Sequence, residues 1–520
     1  MSKFRVYLSA RLFLSIIVIS LCAHLAIAKG YNEISRGNKI YPHYEEHYAN
    51  WLKLSEKEKR EYLKESKKAF SGDNTLDPMP RVLDGREYDQ VLKRGVEQRA
   101  RALVAFLKDH YSGRRTYLSA GIVSESTIRS IIERTSDHTY DQLLKGEKIS
   151  FVYGPDIIRD EKGQWRVIED NPGFVGGIGD LVLAQKFYLK NFPHLSENFS
   201  YRDAEKFYDE LARLYKKRAA AHGGDVVMYM TPPYPDNEDK RVRKLLSERG
   251  IRFISPYTTE RLSVEKDGVY TLNTKTNKKT KVGLIILNGE HWWLDANYEA
   301  NTLRLQKSTD GEDSYVAYYQ RLGRDTRGLT EAILQKKVAS NYTPGIDFIG
   351  DKEFYIYVED FIRFYLGEEP IIKNISSKSF AHKQTGALRE KLLKHVLAHI
   401  DQYVIKTVDG RGGDGVWVGP KLTENKIMAM AKLIRKSPHS FIVQKYTPLS
   451  TLNDLIVDLR ILSLVSDDDV YVSDTPWGRG LPKKGDGKVN LSSNGREITV
   501  LVADKKKEKC QKLISNSNQQ

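Results

Sequence analysis

Residues 403–419, YVIKTVDGRGGDGVWVG, restrict the fold of this chain more than any other stretch. A short apolar run, Val404 and Ile405, leads to one lysine, Lys406. Four glycines follow, Gly410, Gly412, Gly413 and Gly415, and then a second apolar run. Strand, glycine loop, strand reads as a hairpin, which excludes the strand-to-helix turn of a dinucleotide or Walker-type site. Backbone N–H groups unshielded by side chains can close over an anion, and a lysine ending the first strand can add its ammonium. A plain flexible turn has the same composition. Partners elsewhere in the chain must decide between the two.

One candidate partner lies far upstream. Residues 151–160, FVYGPDIIRD, read as one strand, and WRVIEDN (165–171) reads as a second across a tight turn. Glu169 and Asn171 are two apart, so on a strand their side chains point the same way, and Asp156 on the facing strand can converge with them. Carboxylate and amide oxygens are hard ligands that suit magnesium, which takes a few protein oxygens together with phosphate and water. The bland alternative is a hairpin with exposed acids. A glycine-rich turn, NPGFVGGIG, follows at 171–179.

With 520 residues, 40% of them hydrophobic, the chain has material for about three cored domains. A net charge of +15 favours anionic ligands in general, but the lysines alternate with glutamates, as in SEKEKREYLKESKK, and read as solvated helix faces. No nucleic-acid partner is expected from that pattern. Lys3, Arg5 and Arg11 precede an apolar run over 12–25 and the small-x-small triplet Ala26-Ile27-Ala28. That reads as a cleaved signal peptide, residues 1–28, and hence as export to a periplasmic, extracellular or luminal space, with no membrane span after cleavage. Cleavage leaves Cys510 alone of the two cysteines, so no internal disulfide is available. Four N-x-S/T triplets, at Asn198, Asn341, Asn374 and Asn490, permit glycosylation in a eukaryotic pathway.

The remaining text alternates between helix and strand patterns. Residues 31–71 read as charged helices carrying packing aromatics, and 87–111 as an amphipathic helix with Gln98 and Arg99 on its surface. DVVMYM, RVRKLLSER, GIRFISP and KVGLIILNGE imply a small parallel α/β sheet, with a surface hairpin between the last two and helix over 302–335. Residues 351–372 read as a helix or a strand pair, FIVQKY and DLRILSLV as strands, and 504–520 as a disordered basic tail.

Seven blocks taken in order carry a resemblance: GPDIIRDEKGQWRVIEDN, PPYPDNED, DKEFYIYVEDFIRFYLGEEPI, VIKTVDGRGGDGVWVGP, QKYTPLS, DLRILSLV and KVNLSSNG. Over about 81–502 the chain resembles the circularly permuted ATP-grasp proteins of the type 2 class, kin to the synthetase half of glutathionylspermidine synthetase. Permutation places the acid hairpin ahead of the lysine hairpin, as here. The resemblance implies an α+β and α/β fold in which two lobes grip ATP beside a small parallel α/β substrate domain. Expected units are a helical extension at 29–80, a metal-binding half at 81–220, the small domain at 221–330, and a lysine and glycine-loop half at 331–503.

The resemblance also implies roles. Asp156, Glu169 and Asn171 would hold Mg2+ on the ATP phosphates; Lys406 and Lys352 would contact phosphate beneath Gly410, Gly412, Gly413 and Gly415. Gln444 and the backbone through Tyr446 would form the adenine-binding strand, and Arg159 and Arg460 would stabilise the transferred phosphoryl group. The activity implied is carboxylate–amine ligation through an acyl phosphate, with small-molecule or peptide substrates and ADP as product. Departures from the family pattern, PGFVGG after EDN and NLSSNGREITV near the end, fall where the acceptor substrate should bind. An ATP-binding protein without ligase activity, and a phosphotransferase of the same fold, are therefore the alternatives.

Overall fold

The computed structural model describes residues 31–505, apart from 136–148, 231–236, 255–259, 288–326, 381–385, 411–414 and the shorter stretches 42, 71–73, 174, 197–198, 225, 342, 344, 468, 490 and 492–494. The proposed leader, the basic tail beyond 505, Asn198, Asn490, Gly412, Gly413 and most of 302–335 lie outside the described residues.

Strand Trp165–Glu169 pairs antiparallel with Asp156–Arg159, which pairs in turn with Leu455–Arg460. Trp477–Pro482 and Arg496–Ile498 extend this sheet on one side and Lys373–Asn374 closes the other, with Thr451–Leu452 attached to Leu455–Arg460. The acid hairpin is therefore interior to a seven-stranded sheet.

Two runs that read as single strands are each broken. Residues 151–160 divide into Ser150–Tyr153 and Asp156–Arg159, and 458–465 divides between Leu455–Arg460 and Ser463–Ser466. Ser150–Tyr153 and Ser463–Ser466 pair in a different, three-stranded sheet with Val470–Val472. The breaks coincide because Pro155 has no N–H to continue a ladder, and the opposite strand turns with it through Ile461. This corner leaves Asp156 and Arg460 directly paired at the edge of the change in direction.

The glycine-loop region forms the expected hairpin: Val404 pairs with Val418 and Lys406 with Val416. Gly415 has φ +67°, and a Cβ there would strike Thr407, so this turn accepts only glycine. Phe441–Lys445 and Ser377–Ser379 complete a four-stranded antiparallel sheet. Helices Gly386–Ala398 and Glu424–Lys436 cover it, burying Leu393, Val396, Met430 and Ile434 against Ile405, Phe441 and Val443. The burial of each such aliphatic side chain contributes roughly 1.5–3 kcal/mol.

The small sheet is present, with Val226–Met230, Arg252–Ile254 and Lys279–Leu287 parallel. The hairpin Glu260–Glu265 and Gly268–Asn273 is a correction to the surface reading, because it continues the same sheet through antiparallel pairing with Lys279–Leu287. Residues 351–372 resolve to helix: a 3-10 turn at Phe354–Tyr357, an α turn at Val358–Phe361 and a π turn at Ile362–Leu366. Order also runs further than the expected start of the tail, since Val500–Lys505 is a strand and Asp504 pairs with Arg202 at 3.0 Å. No helix among the described residues is long and apolar enough to cross a membrane.

Candidate active site

The two hairpins, more than two hundred residues apart in sequence, meet. Lys406 is the penultimate residue of strand Tyr403–Thr407, just before the glycine loop, and its Nζ donates to the Ile168 carbonyl at 3.2 Å, one residue before Glu169. Lys352 Nζ stands 3.1 Å from Glu169 Oε1 and also donates to the Gly410 carbonyl. Its backbone N–H donates to Val408 at 3.2 Å. Lys352 thus ties the acid strand to the glycine loop.

The sequence around Lys352 explains its aim. Asp351 Oδ1 accepts from the Glu353 N–H at 2.8 Å and caps the following turn. Arg134 grips Asp351 through two bonds of 2.8 Å and Glu353 through one of 2.7 Å. Both acids are thereby held on Arg134, and the lysine between them faces Glu169.

Burial pulls the Lys406 ammonium down to about 8; Glu169 opposes the fall, Lys352 adds to it, and Asp156 opposes it. Lys352 and Lys406 gather beside one carboxylate, Glu169, so the three together carry more positive than negative charge.

Four expected site residues already engage other groups of the protein. Asp156 is the register partner of Glu169, yet its oxygens are taken: Arg460 bonds it at 2.7 and 3.0 Å and Arg479 stands 2.8 Å away. Burial alone would raise this carboxyl, but Arg460 and Arg479 outweigh it and hold it well below the usual range. Arg159 lies three residues along the strand from Asp156 and so projects from the opposite face. There it is 2% exposed, 4.0 Å above the Trp165 ring and 3.1 Å from Glu87, away from both lysines. Gln444 is buried against Ser377, and the N–H groups of Lys445 and Tyr446 donate to Ser376 and Gln402 at 2.9 and 2.7 Å. Phe441–Lys445 is paired on both edges, with Ser377–Ser379 and Tyr403–Thr407.

Glu169 and Asn171 fit a cation carried in on phosphate. Their oxygens are hard donors at partly exposed positions, and Asn171 donates its Nδ2 to the Gly154 carbonyl at 3.1 Å, which sets its amide. Asp156 does not fit while two guanidinium groups occupy it. Among the described residues, no group of three or more His, Cys, Asp or Glu is arranged to hold a metal ion.

Other residues of the site were not singled out in the sequence. Arg479 joins Asp156 to Asp458, at 2.6 Å, across neighbouring strands, a pairing that no local pattern announces. Gln98 and Arg99, expected on the surface, are 3% and 1% exposed. The signal was available: Val96, Arg99 and Leu103 follow the i, i+3, i+7 spacing of the buried stripe. Asn374 is likewise no free glycan acceptor, since its Nδ2 donates to Tyr355 at 2.9 Å and its Oδ1 accepts from Arg99 at 2.8 Å.

Two lobes that bring a lysine and glycine-loop hairpin onto an acid hairpin define an ATP-grasp class of protein. Residues 80–303 match the family described as a circularly permuted ATPgrasp, and residues 313–478 match circularly permuted ATP-grasp type 2. The chain is a circularly permuted ATP-grasp protein. It is 27% identical over 432 residues to an uncharacterized protein of Synechocystis sp., covering 81% of this chain and 82% of that one. A provisionally named glutamate–cysteine ligase of Frankia alni is 26% identical, over 76% of this chain and 43% of its own length. Among solved structures, a glutathione synthetase-like effector from Globodera pallida matches with a TM-score of 0.50 at 9% identity, covering 87% of this chain and 98% of that one. That likeness concerns the fold.

Proposed function

We propose that the protein is an ATP-dependent carboxylate–amine ligase that works through an acyl phosphate. The observation that carries this reading is the meeting of Glu169, Lys352 and Lys406, Lys352 lying 3.1 Å from Glu169 and Lys406 3.2 Å from the neighbouring Ile168 carbonyl. A carboxylate is a poor acceptor for an amine because its oxygen cannot leave. Its attack on the γ-phosphorus forms a C–O–P linkage and releases ADP; an amine then attacks the acyl carbon, phosphate departs, and the nitrogen loses a proton.

In this reading Lys406 and Lys352 bind and orient the phosphates, and Glu169 and Asn171 face them with oxygen ligands. A magnesium ion held there would neutralise charge on the phosphates. Arg460, bonded to Asp156 and, at 3.2 Å, to the Gly176 carbonyl, reaches the glycine-rich turn where the acceptor acid would lie. Its cationic end would stabilise charge building on the transferred group. The name of the Frankia relative supports amino-acid-like substrates.

The test is a mass-spectrometric search for ATP-dependent conjugates made by the purified protein in cell extract, followed by ADP release with the substrates found. Lys406→Ala and Glu169→Ala should each lower turnover roughly 10²–10³-fold, the usual cost of one group that stabilises transition-state charge. Undiminished turnover in both variants refutes the ligase. The capture of Asp156 by Arg460 and Arg479 favours a second reading, nucleotide binding without ligation. Calorimetric ATP binding with no ADP released across carboxylates and amines would select it.

A further inference from the structure

Helix Arg94–Tyr111 passes behind the acid strand, and Arg99 reaches from it to the residue between the two oxygen ligands. Arg99 Nε and Nη2 donate to the two oxygens of Asp170 at 2.6 and 2.7 Å, and the Tyr153 hydroxyl donates to the same carboxylate at 2.6 Å. Its Nη1 donates to Asn374 at 2.8 Å, and its guanidinium carbon lies 5.5 Å from the centre of the Tyr355 ring. Tyr355 in turn donates to the Val167 carbonyl at 2.7 Å on the acid strand. Arg99 is 1% exposed and Asp170 2%, so this is a dry, bidentate charge pair, the geometry that most strongly restricts both partners.

On extended backbone, neighbours alternate sides. Drawing Asp170 inward therefore turns Glu169 and Asn171 outward, where Glu169 meets Lys352. The Asn171 carbonyl accepts from the Gly154 N–H at 2.9 Å, which keeps the backbone extended past Asp170. We propose that Arg99, through Asp170, is a positioning residue that fixes the two oxygen ligands for the cation arriving with ATP. The proposal rests on the assignment of Glu169 and Asn171 in the ligase reading. Groups that orient metal ligands from behind typically matter about 10–100-fold in metal affinity.

The experiment is calorimetric titration of ATP into the full chain, once with Mg2+ and once with a chelator, for the wild type, Arg99→Lys and Asp170→Asn. Arg99→Lys keeps the charge and loses the fork; Asp170→Asn keeps the shape and loses the charge. Positioning predicts that the affinity gain from Mg2+ falls at least tenfold in both variants while binding in chelator stays within about twofold of wild type. A purely structural role would instead lower the melting temperature and weaken both titrations together, and that result overturns the proposal. So does an undiminished Mg2+ gain in folded variants. Should either variant fail to fold, Tyr153→Phe removes one bond to Asp170, and the same comparison applies with a smaller expected loss. A wild type without any Mg2+-dependent ATP binding overturns the ligase reading itself, a failure the variants cannot mimic.

Discussion

Lys406 is the residue whose chemistry the fold has altered most usefully. In the unfolded chain it titrates near 10.5, and in the fold near 8, because burial disfavours the ammonium. Between those values the unfolded chain holds a proton that the native chain does not, so this group makes stability rise with pH across that window. Below pH 8 the charge is present and stands against stability until a polyanion meets it. Two outcomes follow for ATP titrations in buffers of differing ionisation enthalpy. Binding at pH 8–9 should take up close to half a proton or more, and affinity should weaken above pH 8 by at most ~tenfold per unit. Lys406→Met should abolish the uptake and raise the melting temperature of the free protein below pH 8. An unchanged proton count in that variant would remove Lys406 from the phosphate site.

At the scale of elements, the turn carrying Lys352 depends on Arg134, whose guanidinium holds Asp351 and Glu353, 3% and 2% exposed. Arg134→Ala leaves two buried acids facing one another, and stripping one partner from such a pair costs roughly 3–5 kcal/mol. A lower urea midpoint, with Lys352 released from Glu169 and ATP affinity reduced, is the expected result; full affinity in the variant would mean that the turn stands without its anchor. Elements also show where the sequence was readable. The hairpin over 403–419 was legible because glycine and β-branched residues mark turn and strand locally, and the parallel sheet because apolar runs alternate with a helical pattern. The break at Gly154 and Pro155 was not, since periodicity records faces and not which sheet a strand joins. The surroundings of Arg159 were illegible for a related reason: its distance from Asp156 is odd, so the pleat sets it on the opposite face, against Glu87 and Trp165. Arg99 was read as surface, and its pairing with Asp170 was not legible, because the partnership spans seventy-one residues of sequence.

Across the whole molecule, the strand Val500–Lys505 lies in the middle of a three-stranded sheet, parallel to Arg81–Asp84 and antiparallel to Phe199–Tyr201. Leu501 and Val502 are fully buried there beside Val82 and Leu83. A chain ending at residue 499 should therefore leave two neighbours unpaired and an apolar slot open, and should pellet on expression, whereas one ending at 505 stays in solution. Equal recovery of the two would show that the last strand is dispensable. The same arrangement sets a clock on biosynthesis. With synthesis at about 5–20 residues per second, the strand at residue 81 waits roughly 20–80 s before its neighbour at residue 500 has even been made. Throughout that interval the edge of Arg81–Asp84 that Val500–Lys505 will occupy lacks its native partner. An edge left open that long is the kind that a holdase shelters.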